Sequence, residues 1–268
     1  MASLTLHLFG PMEIVVDGEP LPRMRSRKAK WLLALLALRE GQLVGREWVA
    51  SVLWPDADKA IALANMRPVV SEIRRALGEQ SFRIQTPDRK TILLDLQDAE
   101  VDVVAFDAAM RAGRFEEAVA VYRGALLEDC PEEWVPQERK AREQACLHAL
   151  HALGQNDLRA GEFSGAIAHF QRAVLLAPYQ DSPRRDLMDA FAQSGDLNAA
   201  LQAYREFAQA LRSETGGSPD EKTTDLYVRL RSEPAARGQA RSGSGVKAAG
   251  YLPHPLTALV GRDDERLD

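Results

Sequence analysis

The chain has 268 residues, 46% hydrophobic and 27% charged, with a formal net charge of −5. That length suits about two domains with packed cores, and the fractions are those of a globular chain rather than a fibrous or disordered one. No apolar run nears the ~20 residues that cross a bilayer, no basic region precedes the first apolar run as a signal peptide requires, and two cysteines, Cys130 and Cys146, are too few for a disulfide framework; a cytoplasmic protein without membrane partners is expected.

The charge is uneven. Residues 1–97 carry 14 Lys+Arg against 11 Asp+Glu, and the remainder carries 20 against 28. A mildly basic head on an acidic body suits a head that meets phosphate and a body that meets protein.

Leu4, Leu6 and Leu8 alternate with Thr5, His7 and Phe9, a strand pattern. Ile14, Val15 and Val16 before Asp17-Gly18 read as a second strand entering a hairpin turn, with Pro20 and Pro22 bounding it. His7 reads as a strand surface residue. Over 26–41 Ser26 is a plausible N-cap and Gly41 a stop, with Trp31, Leu32, Leu35 and Leu38 facing the core. Arg27, Lys28 and Lys30 crowd the first turn, against the helix dipole. A phosphate contact there is one reading and solvated charge is the other.

Residues 45–54 make a short second helix, ended by Pro55-Asp56. The third helix, 60–77, has apolar residues at Ile61, Ala64, Val69, Val70, Ile73 and Leu77, close to helical spacing, which predicts one buried stripe. Its other faces carry Asn65, Arg67, Ser71, Arg74 and Arg75, which bond phosphates or base edges. Two β-like runs, 82–86 and 90–94, flank Pro87-Asp88-Arg89 and make a hairpin with a basic tip. Strands, three helices and a hairpin is the order of a winged helix-turn-helix, whose third helix lies in the DNA major groove.

From Val101 the chain reads as helical and repeats. Gly113, Ala118, Tyr122 and Ala125 have the offsets of Gly161, Ala166, Phe170 and Ala173; Gly195, Ala200 and Tyr204 match the first three, with Phe207 in the fourth place. The second and third copies lie 34 residues apart, the tetratricopeptide period, and Pro178 closes the second copy. Residues 232–250, rich in Gly, Ala, Ser and Arg, read as a flexible linker.

No nucleophile elbow, zinc-protease helix or phosphate-binding glycine loop occurs, so no catalytic residue, metal or cofactor is expected. His148, His151 and His169 read as repeat-surface histidines, and Trp48, Trp54 and Trp134 as packing residues.

LFGPMEI, the RKAK-x-LLALLAL helix, LWPD, the SEIRRALG helix end and VDVVAFDAA together resemble the antibiotic regulatory protein (SARP) family of bacterial transcriptional activators, over about residues 4–231. The resemblance implies a mainly α fold with a small β component: an N-terminal winged helix-turn-helix over 1–98, followed by a tetratricopeptide-like bacterial transcriptional activator domain over 99–231. The linker covers 232–250, and 251–268 resembles the start of a downstream ATPase-like domain of larger members. It further implies binding to direct-repeat promoter sites, contact with RNA polymerase and its sigma factor, and head-to-tail self-association on DNA. On this sequence the DNA-binding residues would be Arg27 and Lys28 on the first helix, Asn65, Arg67, Ser71, Arg74 and Arg75 on the third, and Arg83, Arg89, Lys90 and Thr91 on the wing. Trp54, Asp56 and Lys59 would face polymerase. Glu72 would help only by accepting from a cytosine amino group.

One departure is Pro68, since proline inside a helix costs roughly 3 kcal/mol. Either the third helix begins near Arg67, which removes Asn65 from the reading face, or it runs through Pro68 with a kink. The competing function is a protein-interaction or signal-sensing scaffold whose repeats bind a partner without direct DNA readout.

Overall fold

The structure, a computed structural model, describes residues 3–21 and 24–241. Its N-terminal part is built on alternation. In β1 (Leu4–His7) Leu4 and Leu6 are fully buried while Thr5 and His7 are half-exposed. β1 pairs antiparallel with β2 (Glu13–Val16), Leu4 opposite Val16, and β2 turns into β3 (Glu19–Pro20). The turn places Asp17 and Gly18 at φ +52° and +84°, the left-handed pair a two-residue hairpin needs.

α1 (Arg27–Ala37) is buried nearly all round, with Leu33 and Leu36 as deep as Trp31, Leu32 and Leu35. A helix apolar on every side belongs between layers rather than on a surface, and α1 packs on α2 (Arg46–Leu53), α3 (Lys59–Leu77) and the wing. The wing is a three-stranded sheet in which β6 (Thr91–Leu94) lies between β4 (Val44–Gly45) and β5 (Ile84–Gln85). Phe82 and Arg83, expected to begin the first wing strand, instead end a 3-10 turn over Gly78–Arg83.

α3 is one continuous helix through Pro68. Proline cannot donate to the Ala64 carbonyl, but Ala64 and Pro68 both lie on the solvent face, so that carbonyl is not orphaned in the core. The early start keeps Asn65 on the helix. The buried row is Ala62, Met66, Val69, Val70, Ile73 and Leu77. Ile61 and Ala64, expected in the core, face outward instead, with Ile61 55% exposed. Stepping back from Ile73 by three and four residues reaches Val69 or Val70, Met66 and Ala62, and leaves 61 and 64 off the stripe.

The helical array follows as α4 (Asp102–Arg111), α5 (Phe115–Val121), α6 (Val135–Ala160), α7 (Phe163–Leu176), α8 (Asp181–Gln193), α9 (Leu197–Glu214) and α10 (Glu221–Arg241). Gly113, Gly161 and Gly195 make the repeat turns at positive φ. Ala118, Ala166 and Ala200 are fully buried where paired helices touch, and so are Phe170 and Phe207. The first copy is cut short: α5 ends before Tyr122, whose ring packs on Phe9 at 4.7 Å, and Ala125 leaves the helical pattern.

Gly154 in α6 has a packing reason. A Cβ there would meet the buried Phe170 ring at 2.5 Å. Gly154→Ala gains about 1 kcal/mol of helix propensity but overpacks the core, at about 1–3 kcal/mol. A net loss in urea denaturation is expected, reversed by also substituting Phe170→Leu.

Asp220 caps α10. Slight burial raises its carboxyl, but bonds from Thr223 and Arg185 outweigh this and bring it from 3.8 to about 2. A depressed carboxyl stabilises the fold above its unfolded pKa and stops doing so as pH falls through the folded one. Hydrogen exchange in the first turn of α10 is therefore expected to accelerate relative to α9 between pH 3.8 and about 2, and not above that window. α10 itself runs to Arg241, ten residues into the stretch read as linker; the rest of that stretch, the ATPase-like segment 251–268 and Pro22 lie outside the described residues.

The core does not break at residue 98. One cluster of buried side chains runs from Leu4 to Ala177. β7 (Glu100–Val101) adds to the N-terminal sheet parallel to β1, giving the order β3-β2-β1-β7. Asp102, the first residue of α4, accepts the Leu8 N–H at 2.8 Å and the Phe9 N–H at 3.0 Å. A second crossing closes the junction, where Leu127 N–H donates to the Leu8 carbonyl and Gly10 N–H to that of Ala125.

Candidate nucleic-acid interface

The outward face of α3 follows from the inward one. With Met66, Val69, Val70 and Ile73 buried, helical geometry presents Ala64, Arg67, Pro68, Ser71 and Arg75 to solvent, with Asn65 half-buried beside them. Arg67 and Arg75 have no acidic partner among the described residues. Two uncompensated guanidiniums and a hydroxyl thus share one row.

Two side chains fix that row. Glu72 accepts the backbone N–H groups of Arg25 at 2.5 Å and Ser26 at 3.0 Å, so it ties α3 to the start of α1 and is not free to accept from a cytosine. Ser26 itself stands at the N-cap without a side-chain capping bond, and Glu72 holds the chain just ahead of the helix rather than capping its first turn. Arg74 donates to the Ile84 carbonyl at 2.8 Å and to Thr86 Oγ1 at 3.2 Å, which braces α3 against the wing. Its guanidinium is committed inside the fold, unlike those of Arg67 and Arg75.

The wing places its residues in two groups. Arg89 and Lys90 are exposed at the tip and Thr91 is half-buried at its base. Asp88 shapes the tip by accepting the N–H groups of Lys90 at 2.6 Å and Thr91 at 2.7 Å, and the Lys90 bond above all lowers its carboxyl below 3.8. Arg83, expected on the wing surface, is 3% exposed. Its guanidinium bonds Gln80 Oε1 at 2.7 Å and the carbonyls of Asp95 and Gln97 at 3.2 and 2.5 Å. It closes the hairpin from within and reaches no phosphate. The sequence signal that misled was its place in an alternating run.

The basic first turn of α1 also resolves differently. Lys28 Nζ bonds Glu132 at 2.8 Å and the Leu53 carbonyl at 2.5 Å, and Lys30 bonds Asp129 at 2.7 Å. The apparent excess is neutralised by the array, so Lys28 is not available to phosphate. Arg27 stays exposed, and so does Arg25, which sequence reasoning missed. Its backbone bond to Glu72 sets Arg25 beside α3.

Trp54, Asp56 and Lys59 come together on the turn between α2 and α3. Trp54 is half-buried and Asp56 exposed, while Lys59 pairs with Glu47 at 2.7 Å in a solvent-exposed bridge, a type that contributes little. In the array His151 bonds Asp186 at 2.8 Å and His148 meets the Phe115 ring edge-on. Cys130 and Cys146 are free, and burial pushes both thiols up to about 11. No described helix is long and apolar enough to cross a membrane.

Known proteins share this arrangement. The sequence model of the bacterial transcriptional activator domain matches residues 93–231. The transcriptional regulatory protein EmbR of Mycobacterium tuberculosis is 26% identical over 93% of this chain and 68% of its own. The regulatory protein DnrI of Streptomyces peucetius is 24% identical over 92% and 98% respectively. The regulatory protein AfsR of Streptomyces coelicolor is 26% identical over 96% of this chain, which spans 27% of that longer protein. The structure of Mycobacterium tuberculosis EmbR, solved in complex with a low-affinity phosphopeptide, superposes with a TM-score of 0.64 at 23% identity, covering 90% of this chain and 70% of that one. With an N-terminal winged helix joined to this activator domain, the chain belongs to the SARP family of bacterial transcriptional regulators.

Proposed function

We propose that this regulator activates transcription by binding direct-repeat promoter DNA, with α3 in the major groove and the wing tip on the neighbouring backbone. The observation that carries the reading is the row Arg67, Ser71 and Arg75, exposed and without acidic partners among the described residues, on a helix tied to its neighbours through Glu72 and Arg74. Arginine forks match guanine O6 and N7, Asn65 matches adenine, and the outward Ile61 and Ala64 offer apolar contact to thymine methyl groups. Arg25, Arg27, Arg89 and Lys90 hold phosphates and set the register. Arg74, Arg83 and Lys28 hold the frame. Thr91, at the base of the wing, lies within reach of the backbone.

In this reading the turn bearing Trp54 and Asp56 faces RNA polymerase and its sigma factor, while protomers on successive repeats stand head to tail. A heterologous contact of that kind requires no dimer in solution.

Selection of bound DNA from a random pool by the intact chain tests the reading. An enriched direct repeat is expected, with affinity falling as salt rises by about 0.9 log units per log unit for each phosphate neutralised. Arg212→Ala, an exposed arginine on α9 far from α3 in the chain, should enrich the same repeat. If the unaltered chain enriches nothing even at low salt, direct readout is refuted and the helical array becomes the binding module.

A further inference from the structure

A cleft opens where the sheet edge meets the first helical pair. Its volume is about 720 Å³, and its walls come from β1, β7, α4 and α5. Sites for small organic molecules commonly span ~300–1,000 Å³, mostly apolar, with a few placed polar groups. Leu96, Val104 and Val121 line this one half-exposed, although each touches the main core. Ala105 and Ala108 of α4 and Ala120 of α5 turn small side chains to the same space, which is why it stays open.

The polar groups gather around Arg123. Its Nη2 lies 2.5 Å from His7 Nδ1 and 3.9 Å from Asp102 Oδ2. A guanidinium only donates, so His7 Nδ1 accepts and its Nε2 carries the proton. Asp102 does little for Arg123, because its oxygens already accept from the N–H groups of Leu8, Phe9 and Val103. Arg123 Nε and Nη1 make no hydrogen bond among the described residues. Arg123, its side chain 54% exposed, therefore keeps unused donors at this end of an apolar space. Glu100 on the rim limits what fits to a single negative charge.

We propose that this cleft is an effector site for a small amphipathic organic anion, its apolar body against the alanine floor and its one carboxylate or sulfonate on Arg123. The concavity suits a small molecule better than a flat protein face. The occupant would touch both the N-terminal sheet and the first helical pair, and so add to the stability of their junction by mass action.

Two fluorescent probes of nearly the same shape test this: anilinonaphthalenesulfonate, an anion, and phenylnaphthylamine, its neutral analogue. The intact chain should bind one of each saturably and gain melting temperature with either. Ala105→Trp, an exposed substitution that fills the space, should lose both, and Ala120→Leu should weaken both. Arg123→Gln should weaken the anion about tenfold, as loss of a charge-assisted hydrogen bond does, and leave the neutral probe unchanged. A variant that failed to fold would reveal itself by increased anilinonaphthalenesulfonate emission.

Several results overturn the proposal. Binding undiminished by both filling variants places the probes elsewhere, and equal loss of the two probes in Arg123→Gln makes the arginine structural. Probe binding that falls as protein concentration rises assigns the cleft to a second copy. No saturable binding by the intact chain denies a small-molecule site.

Discussion

Replacing Arg67 and Arg75 together by alanine is expected to abolish enrichment of the direct repeat and to weaken its binding at least about thirtyfold. Each well-formed arginine–guanine pair contributes about 1–3 kcal/mol of discrimination, and 1.4 kcal/mol is a factor of ten. Both side chains are exposed and outside the salt bridges of the described residues, so the variant should melt within about 0.5 kcal/mol of the parent, as surface substitutions do. Arg74→Ala separates reading from bracing. It leaves the Ile84 carbonyl short of its partner and frees the wing, so it should lower stability and blur the selected sequence without erasing it. If Arg74→Ala erases the repeat while the Arg67/Arg75 pair leaves it intact, recognition does not run along this row.

Asp102→Ala should be the most destabilising single substitution at the junction, by about 2–4 kcal/mol, since the N–H groups of Leu8, Phe9 and Val103 lose their acceptor, at about 1–3 kcal/mol for each one left unpaired. These donors belong to residues that are 0%, 4% and 1% exposed. Asparagine does not restore the site: its single oxygen replaces one acceptor and its amide turns a donor towards another donor. Urea denaturation of the intact chain measures this directly, and a loss below about 0.5 kcal/mol, the surface-substitution range, would show that Asp102 is dispensable. Acid should not mimic the mutation. Burial raises the Asp102 carboxyl above 3.8 despite its three backbone bonds. The folded state therefore binds that proton more readily than the unfolded one, and this contribution to stability rises as pH falls through the raised value and levels off below 3.8.

What the sequence made legible were the features set by local rules. Alternation in β1, the Asp17-Gly18 turn, the apolar make-up of α1 and the second and third copies of the glycine–alanine–aromatic repeat rest on local patterns and stand in the structure, while the first copy leaves the helix at Tyr122. The family motifs extended this to the order of elements. The residues that departed did so through long-range pairing. Lys28 is matched by Glu132, more than a hundred positions away, and Glu72 by the backbone of Arg25 and Ser26. Arg83 sits at the buried base of the hairpin, at the end of a 3-10 turn, and Arg89 at its exposed tip. A basic residue looks the same in sequence whether a phosphate or a distant carboxylate awaits it, so charge alone did not separate readers from braces. Pro68 was ambiguous for a related reason: its cost depends on whether the orphaned carbonyl meets water, which only the burial of neighbouring helices decides.

The seam between head and array has a bearing on exchange between relatives. A head excised at residue 98 would leave behind the acceptor of the Leu8 and Phe9 N–H groups, the parallel strand beside β1 and the acids that neutralise Lys28 and Lys30. A chimera that takes its DNA specificity from another regulator should therefore be joined beyond Glu132, carrying the first helical pair as part of the graft. On the proposed function, operator specificity would then travel with α4 and α5, so the segment to graft is larger than the winged helix itself.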